Sequence, residues 1–245
     1  MAHYRAITGG DSAVWQLRAL PVCSSTETWL EAWLKALPTG PLQRSYAVVA
    51  AHQTRATGQR GRAWSAPYGG VWVSAALPWP QQVGRSAGLA GLALAVAMAE
   101  QLERRGVPVR IKWPNDLLVD GAKLAGLLPR LVYRGSKLRL VRFGLGLNVT
   151  NPVPPLATSL RRLQGDAAGS PSRWTAEVMV AMDRCLAWAR ADQLSLSLSA
   201  AEARLWNDVW HDPIDGTVWG IEGLSSDGGL CLRRGVSRRC LRRWG

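Results

Sequence analysis

Apolar positions recur along this chain with two distinct periods. In STETWLEAWLKAL, Trp29, Leu30, Trp33, Leu34 and Leu37 return at helical spacing. Ser25 or Thr26 can cap that helix, and Glu27 or Glu31 suits its first turn. A second helix is predicted from about Ser86 to Arg105, ended by Gly106 and Pro108. Its run AGLAGLALAVAMA is apolar on every side, as in a buried helix. SRWTAEVMVAMDRCLAWARAD and AAEARLWNDVW read as two further helices. Strand patterns lie between them: SYAVVAAHQ, VWVSAALPW, VRIKW and KLRLVRFGLGLNV. NDLLVDGAKLAGLLPRLVYRG reads as two strands about Asp120-Gly121, a hairpin dipeptide. NPVPPLATSL is irregular, and from about Pro213 the pattern changes to short β segments with a turn at Asp227-Gly228. Strands in hairpins with helices packed on them predict an α+β fold. The expected division is a mixed-sheet domain over 1–205 and a small, barrel-like all-β domain over 206–245.

Composition narrows the picture only partly. A chain of 245 residues, 47% hydrophobic, can bury a sizeable core. The formal net charge of +13 favours an acidic partner of some kind, or simply a solvated basic surface. Cys23, Cys185, Cys231 and Cys240 form no C-x-x-C pair, and His3, His52 and His211 are scattered, so neither a disulfide framework nor a zinc site is expected. No basic start precedes an apolar run, and the longest apolar run is too short to span a bilayer. A cytoplasmic, reducing location with no membrane association is the expectation.

Three segments carry candidate chemistry. TRATGQRGRAWSAPYGG is a loop whose glycines let backbone N–H groups approach an anion and whose arginines add forked donors. KWPNDLLVDGAKLAGLL sets Lys112 and Lys123 where both can face an anion. Asn115 and Asp116 can hold a polar group or a magnesium ion, and Pro114 stiffens the turn between them. FGLGLNV places Gly144 and Gly146 within a strand, the mark of a bulge or of close backbone approach.

In this order and approximate spacing, SSTE, GQRGRAWSAPYGGVWVS, KWPNDLLVDGAKLAGLL and FGLGLNV resemble biotin–protein ligases over about residues 22 to 150, and GTVWGIEGLSSDGGLCL does so more loosely. The resemblance implies a class II synthetase-like catalytic domain and a two-step reaction. Biotin and ATP would give biotinyl-5′-AMP, and a lysine of a biotin carboxyl carrier domain would then take the biotin. By position, Ser25, Thr26, Glu27, Gln53, Thr57, Gly58, Gln59, Gly126, Gly144 and Gly146 would surround biotin. Lys123 would meet the biotin carboxylate and the reacting phosphate, with Arg62 and Lys112 completing the catalytic set. Arg60, Arg62, Trp64, Asn115, Asp116 and Asn148 would serve ATP, Asp116 also its Mg2+, and Trp72 stands where it could pack on the ligands.

The resemblance has two departures. The loop usually reads G-R-G-R-x-G-R-x-W, but Thr57 and Gln59 stand where two arginines are usual, and S-T-N becomes Ser25-Thr26-Glu27. Faster loss of the adenylate is the expected consequence, unless Arg55 or Arg60 substitutes. About 20 residues precede CSSTE, which leaves no room for the DNA-binding domain some members carry, so DNA binding is not expected. The six arginines between Arg233 and Arg243 could dock an acidic carrier or guard a solvated edge strand. Two other readings remain open. One is a lipoate- or octanoate-type acyl ligase or transferase on the same fold. The other is a non-enzymatic nucleic-acid-binding protein, suggested by the charge and 13 tryptophans. The sequence selects no oligomeric state.

Overall fold

The structure is a computed structural model. It describes all residues except 10–14, 39, 41, 81–86, 136 and 243–245, together with the side chains of 60, 87 and 137. Ser86 and Arg243 therefore lie outside the described residues, as does the side chain of Arg60. The elements run α1 (Ala2–Thr8), β1 (Trp15–Cys23), α2 (Thr26–Lys35), β2 (Ser45–Gln53), β3 (Val71–Leu77), α3 (Ala87–Glu103), β4 (Arg110–Lys112), β5 (Asp116–Val119), β6 (Ala122–Arg134) and β7 (Lys137–Leu147). They continue with α4 (Leu160–Gln164), α5 (Pro171–Arg190), α6 (Leu196–Glu202), β8 (Val209–His211), β9 (Val218–Leu224), β10 (Leu230–Arg234) and β11 (Ser237–Leu241).

Seven strands form a mixed sheet in the order β1-β2-β3-β7-β6-β5-β4; only the β1/β2 pair is parallel. Side chains alternate across it with period two. On β3 and β7, Val71, Val73, Ala75, Leu77, Val141, Phe143, Leu145 and Leu147 join a core shared with α3 and α5. The alternate positions Ala76 and Leu140 pack with Leu30 and Leu34 of α2 on the opposite face. α3 is buried along its length, as an all-apolar segment requires. The hairpin expected at Asp120-Gly121 joins β5 to β6, with both turn residues at positive φ.

Three features depart from the sequence expectations. β1 and α1 carry no clear period. β1 is an edge strand whose Pro21 is tolerated because an edge leaves an unpaired N–H side. α1 is held by tertiary contacts: Tyr4 Oη and Trp15 Nε1 both donate to the Asp183 carboxylate on α5, the latter at 2.9 Å. AAEARLWNDVW is not one helix. α6 ends at Glu202, and the next residues are captured by β4, with Ile111 N to Arg204 O at 2.6 Å and Trp206 N to Ile111 O at 3.0 Å. Backbone pairing thus overrides helical periodicity, and β8 begins at Val209, earlier than the change expected near Pro213.

The small C-terminal antiparallel sheet has the order β11-β10-β9-β8. Its arginines are largely paired within it: Arg233 and Arg238 with Glu222, Arg239 with Asp212 and Arg242 with Asp227. Arg239 also lies 4.1 Å over the Trp219 ring. Among the described residues, no helix is long and apolar enough to cross a membrane.

Asp183 yields a pH prediction. Burial pushes its carboxyl up to about 6, against the opposing hydrogen bonds from Tyr4 and Trp15 and the charge of Arg190. Because the folded value lies above the unfolded one, the contribution is fully present below about pH 4 and lost as pH rises through about 6. It amounts to about 3 kcal/mol at most. Urea midpoints of Asp183→Asn should therefore lack the part of the wild-type slope that lies between those values.

Candidate active site

The face of the sheet that carries α2 also carries a cavity of about 410 Å³. Its floor is made by positions that alternate with the core: Trp72 and Ser74 on β3, Gly144 and Gly146 on β7, Gly126 and Leu128 on β6. The glycines are required sterically. A Cβ on Gly146 would lie 2.8 Å from the Trp64 indole, and one on Gly126 would lie 3.0 Å from it. A small-residue floor thus lets Trp64 lie flush on two strands. Trp64 packs edge-on to Trp72, and its Nε1 is buried without a hydrogen-bond partner among the described residues.

One end of the cavity is built from polar groups. Ser25 caps α2 by accepting from Glu27 N at 3.2 Å, so of the two capping candidates Ser25 takes the role. Thr26 then begins the helix, and its backbone N (2.7 Å) and Oγ1 (3.1 Å) both donate to Gln53 Oε1 from β2. Thr26 Oγ1 also lies 2.8 Å from Ser74 Oγ. This network is buried and preset, a condition for reading a ligand's hydrogen-bond pattern. Beside it Glu27, which also lines the cavity, pairs with Arg142, which reaches Glu31 at 3.5 Å as well. Arg142 lies on β7 two residues before Gly144, with its side chain only 10% exposed.

The other end is charged. Lys112, at the end of β4, and Arg62, in the Gly/Arg loop, are exposed groups at its margin. Lys123 reaches in from β6. Its backbone is clamped to the 156–158 segment, with Lys123 N to Leu156 O at 3.0 Å and Thr158 N to Lys123 O at 2.9 Å. Its Nζ lies 2.6 Å from Asp116 Oδ1 and 4.7 Å over the Trp64 ring. Asn115 Nδ2 donates to Leu127 O at 2.6 Å, which locks the turn after the cis Trp113–Pro114 bond. Trp113 lines the rim and donates Nε1 to Gly228 O of the C-terminal sheet at 3.0 Å.

The loop is folded over the opening. Gly58 N bonds Arg62 O at 2.8 Å, Trp64 N bonds Ala56 O at 2.9 Å and Gln53 N bonds Ala66 O at 3.0 Å. Thr54 N and Arg55 N bond Cys23 O and Ser24 O, tying the loop to the segment that leads into α2. Thr57, Gly58 and Gln59 line the cavity, whereas Arg55 is exposed and lies outside the lining.

The structure therefore brings nearly all the sequence-predicted positions to one cavity. Asn148 is apart from it: it is buried, and its Nδ2 donates to Thr158 O at 3.0 Å while its Oδ1 accepts from Asn151. Sequence reasoning missed Ser74, Trp113 and Arg142, whose positions depend on partners distant in the chain. Asp116 is the carboxylate at the charged end, and no group of three or more metal-ligating residues exists among the described residues.

Residues 19–148 match the biotin/lipoate A/B protein ligase family. The chain is 32% identical over 197 residues to the biotin–[acetyl-CoA-carboxylase] ligase of Mycobacterium tuberculosis, covering 76% of this chain and 72% of that one. It is 34% identical over 146 residues to a bifunctional ligase/repressor of Escherichia coli K12, covering 58% of this chain but 42% of that one. The chain thus spans less than half the length of that relative. The Aquifex aeolicus biotin protein ligase in complex with biotin and ATP superposes with a TM-score of 0.74 at 22% identity, covering 94% of this chain and 96% of that one.

The Arg142–Glu27 pair makes a stability prediction. Removing one member of a buried pair leaves an uncompensated charge, whereas replacing both with apolar groups is often close to neutral. Arg142→Leu should cost roughly 2–4 kcal/mol by urea unfolding, and Glu27→Leu combined with Arg142→Leu should recover most of it.

Proposed function

The chain belongs to the biotin/lipoate A/B protein ligase family, and we propose that within it this protein is an ATP-dependent biotin–protein ligase. Biotin and ATP react to give biotinyl-5′-AMP and pyrophosphate. The ε-amine of a lysine on a biotin carboxyl carrier domain of a biotin-dependent carboxylase then attacks the mixed anhydride and releases AMP.

The observation that carries this reading is the polarity of the cavity. Ser25 and the Thr26–Gln53–Ser74 network lie at one end and Lys123 at the other, across an apolar and glycine floor. That arrangement suits a ligand with a neutral, hydrogen-bonding ring system and a carboxylate tail. Lys123 leaves Asp116 to meet the biotin carboxylate and the α-phosphate, offsetting the repulsion between two anions as they approach. Lys112 and Arg62 add charge on the phosphate side, and Asp116, once released, is the residue to hold a magnesium ion carried by the triphosphate. Such an ion would neutralise phosphate charge. The loop over Thr57 to Trp64 excludes water from the anhydride until the carrier arrives.

Biotin is favoured over lipoate by the same network. A dithiolane ring offers no N–H or C=O to Thr26 and Gln53, so it forgoes the hydrogen bonds that a ureido ring can make there.

The test is incubation with ATP, Mg2+, biotin and a carrier domain, with lysine biotinylation read by mass spectrometry. Wild type should label the carrier, Lys123→Ala should lose roughly a hundredfold or more of the adenylation rate, and excess lipoate should compete poorly. No labelling by wild type, or equal use of lipoate, would reject the assignment. The loop supplies a second expectation. Thr57 and Gln59 present no charge to the adenylate, so Thr57→Arg should slow its release from the protein, measured by chase with unlabelled biotin.

A further inference from the structure

The C-terminal sheet carries two groups that the proposed reaction does not use. Cys231 on β10 and Cys240 on β11 stand directly opposite one another in antiparallel register. Opposed residues of such a ladder have Cα atoms about 4.5–5.5 Å apart, within the span a disulfide bridges. Both thiols are free and half-buried, and their sulfur atoms are 3.7 Å apart, with Cys231 donating to Cys240. The other two cysteines are buried in the main body of the protein, Cys185 completely. We propose that Cys231 and Cys240 are a redox modification site, closing to an intramolecular disulfide by exchange with a small-molecule disulfide.

The exchange balances without a further reagent. The Cys240 thiolate attacks the small disulfide, forms a mixed disulfide and expels one small thiolate. Cys231 then attacks the Cys240 sulfur and expels the second. The two cysteine protons end on two small thiols, and the protein pair is oxidised as the small disulfide is reduced. Burial, and next the hydrogen bond to Cys240, push the Cys231 thiol up, in keeping with its part as resolving residue.

The site is connected to the cavity. Cys240 Sγ donates to Ser225 Oγ at 3.3 Å, and Ser225 N bonds Gly229 O at 2.8 Å to close the turn over 225–229. That turn presents Gly228 O to Trp113 at the cavity rim. It is packed tightly enough that a Cβ on Gly228 would lie 2.9 Å from the backbone of Gly88 and Leu89, at the start of α3. Joining Cys231 to Cys240 holds β10, β11 and this turn as one unit, at the place where the small sheet grips the rim.

The test reads thiols and not catalysis, so its outcome is independent of the proposed ligase activity. The full-length protein is equilibrated with excess oxidised glutathione, digested without reductant and mapped by mass spectrometry. The expected result is a Cys231–Cys240 cross-linked peptide with Cys23 and Cys185 still free, reversed by a dithiol. Proteolytic cleavage within 225–242 should slow by roughly tenfold or more, because the staple closes a short loop in the opened state. Cys231→Ser should retain a stable glutathione adduct on Cys240, since the resolving thiol is gone. Unmodified thiols at both positions, or glutathione adducts that persist on both in the unaltered chain, would overturn the proposal.

Discussion

The strict alternation of side chains on β3 and β7 is the constraint from which the rest follows. One set of positions is apolar and faces α3 and α5. The other set runs through Trp72, Ser74, Gly144 and Gly146 and makes the cavity floor. Because the period is two, neither set can change without the other: a slip of one residue would put Phe143 and Leu145 into the cavity and the glycines into the core. β3 is buried at every position, so its register is held from both faces. The precision of the floor is therefore a by-product of packing the core.

On that floor, positional control is exerted mostly by the backbone. Lys123 is gripped by 156–158 on one side, Asn115 by Leu127 on the other, and Thr26 by its place at the start of α2. Such bonds hold the chemical groups without spending their side-chain charges. The charges are deployed separately, with Lys123 set against Asp116 and Arg142 set against Glu27 and Glu31. The first pair is at the cavity surface, where an anionic ligand can exchange with it at modest cost. In the second, the Arg142–Glu27 pair is largely enclosed, where separating the charges is expensive.

Much of this was legible in the chain. The K-W-P-N-D and K-L-A-G segments, the Gly/Arg loop and the alternating glycines each signal chemistry or close approach through residue types that a simple fold would not need. Ser74 and Arg142 carried no such signal, because a serine or an arginine in a strand acquires meaning only from what stands opposite. Asn148 shows the reverse: its residue type suggests a ligand contact, yet its amide is used in holding the 148–158 segment together. β1 and α1 were invisible because an edge strand and a seven-residue helix owe their existence to distant partners such as Asp183.

The sequence by itself determined the α+β class, most of the strands and helices with a clear period, and the family likeness. These depend on local spacing and on residue types, and both are written along the chain. The tertiary structure alone decided where α6 gives way to the pairing with Ile111, how Ser74 and Thr26 meet Gln53, and that Cys231 faces Cys240. It also decided that the arginine-rich tail has its charges largely answered by Glu222, Asp212 and Asp227. The physical reason is the same in each case. These contacts join residues that only strand order and register bring together, and no local pattern of hydrophobic and polar residues encodes which strand lies beside which.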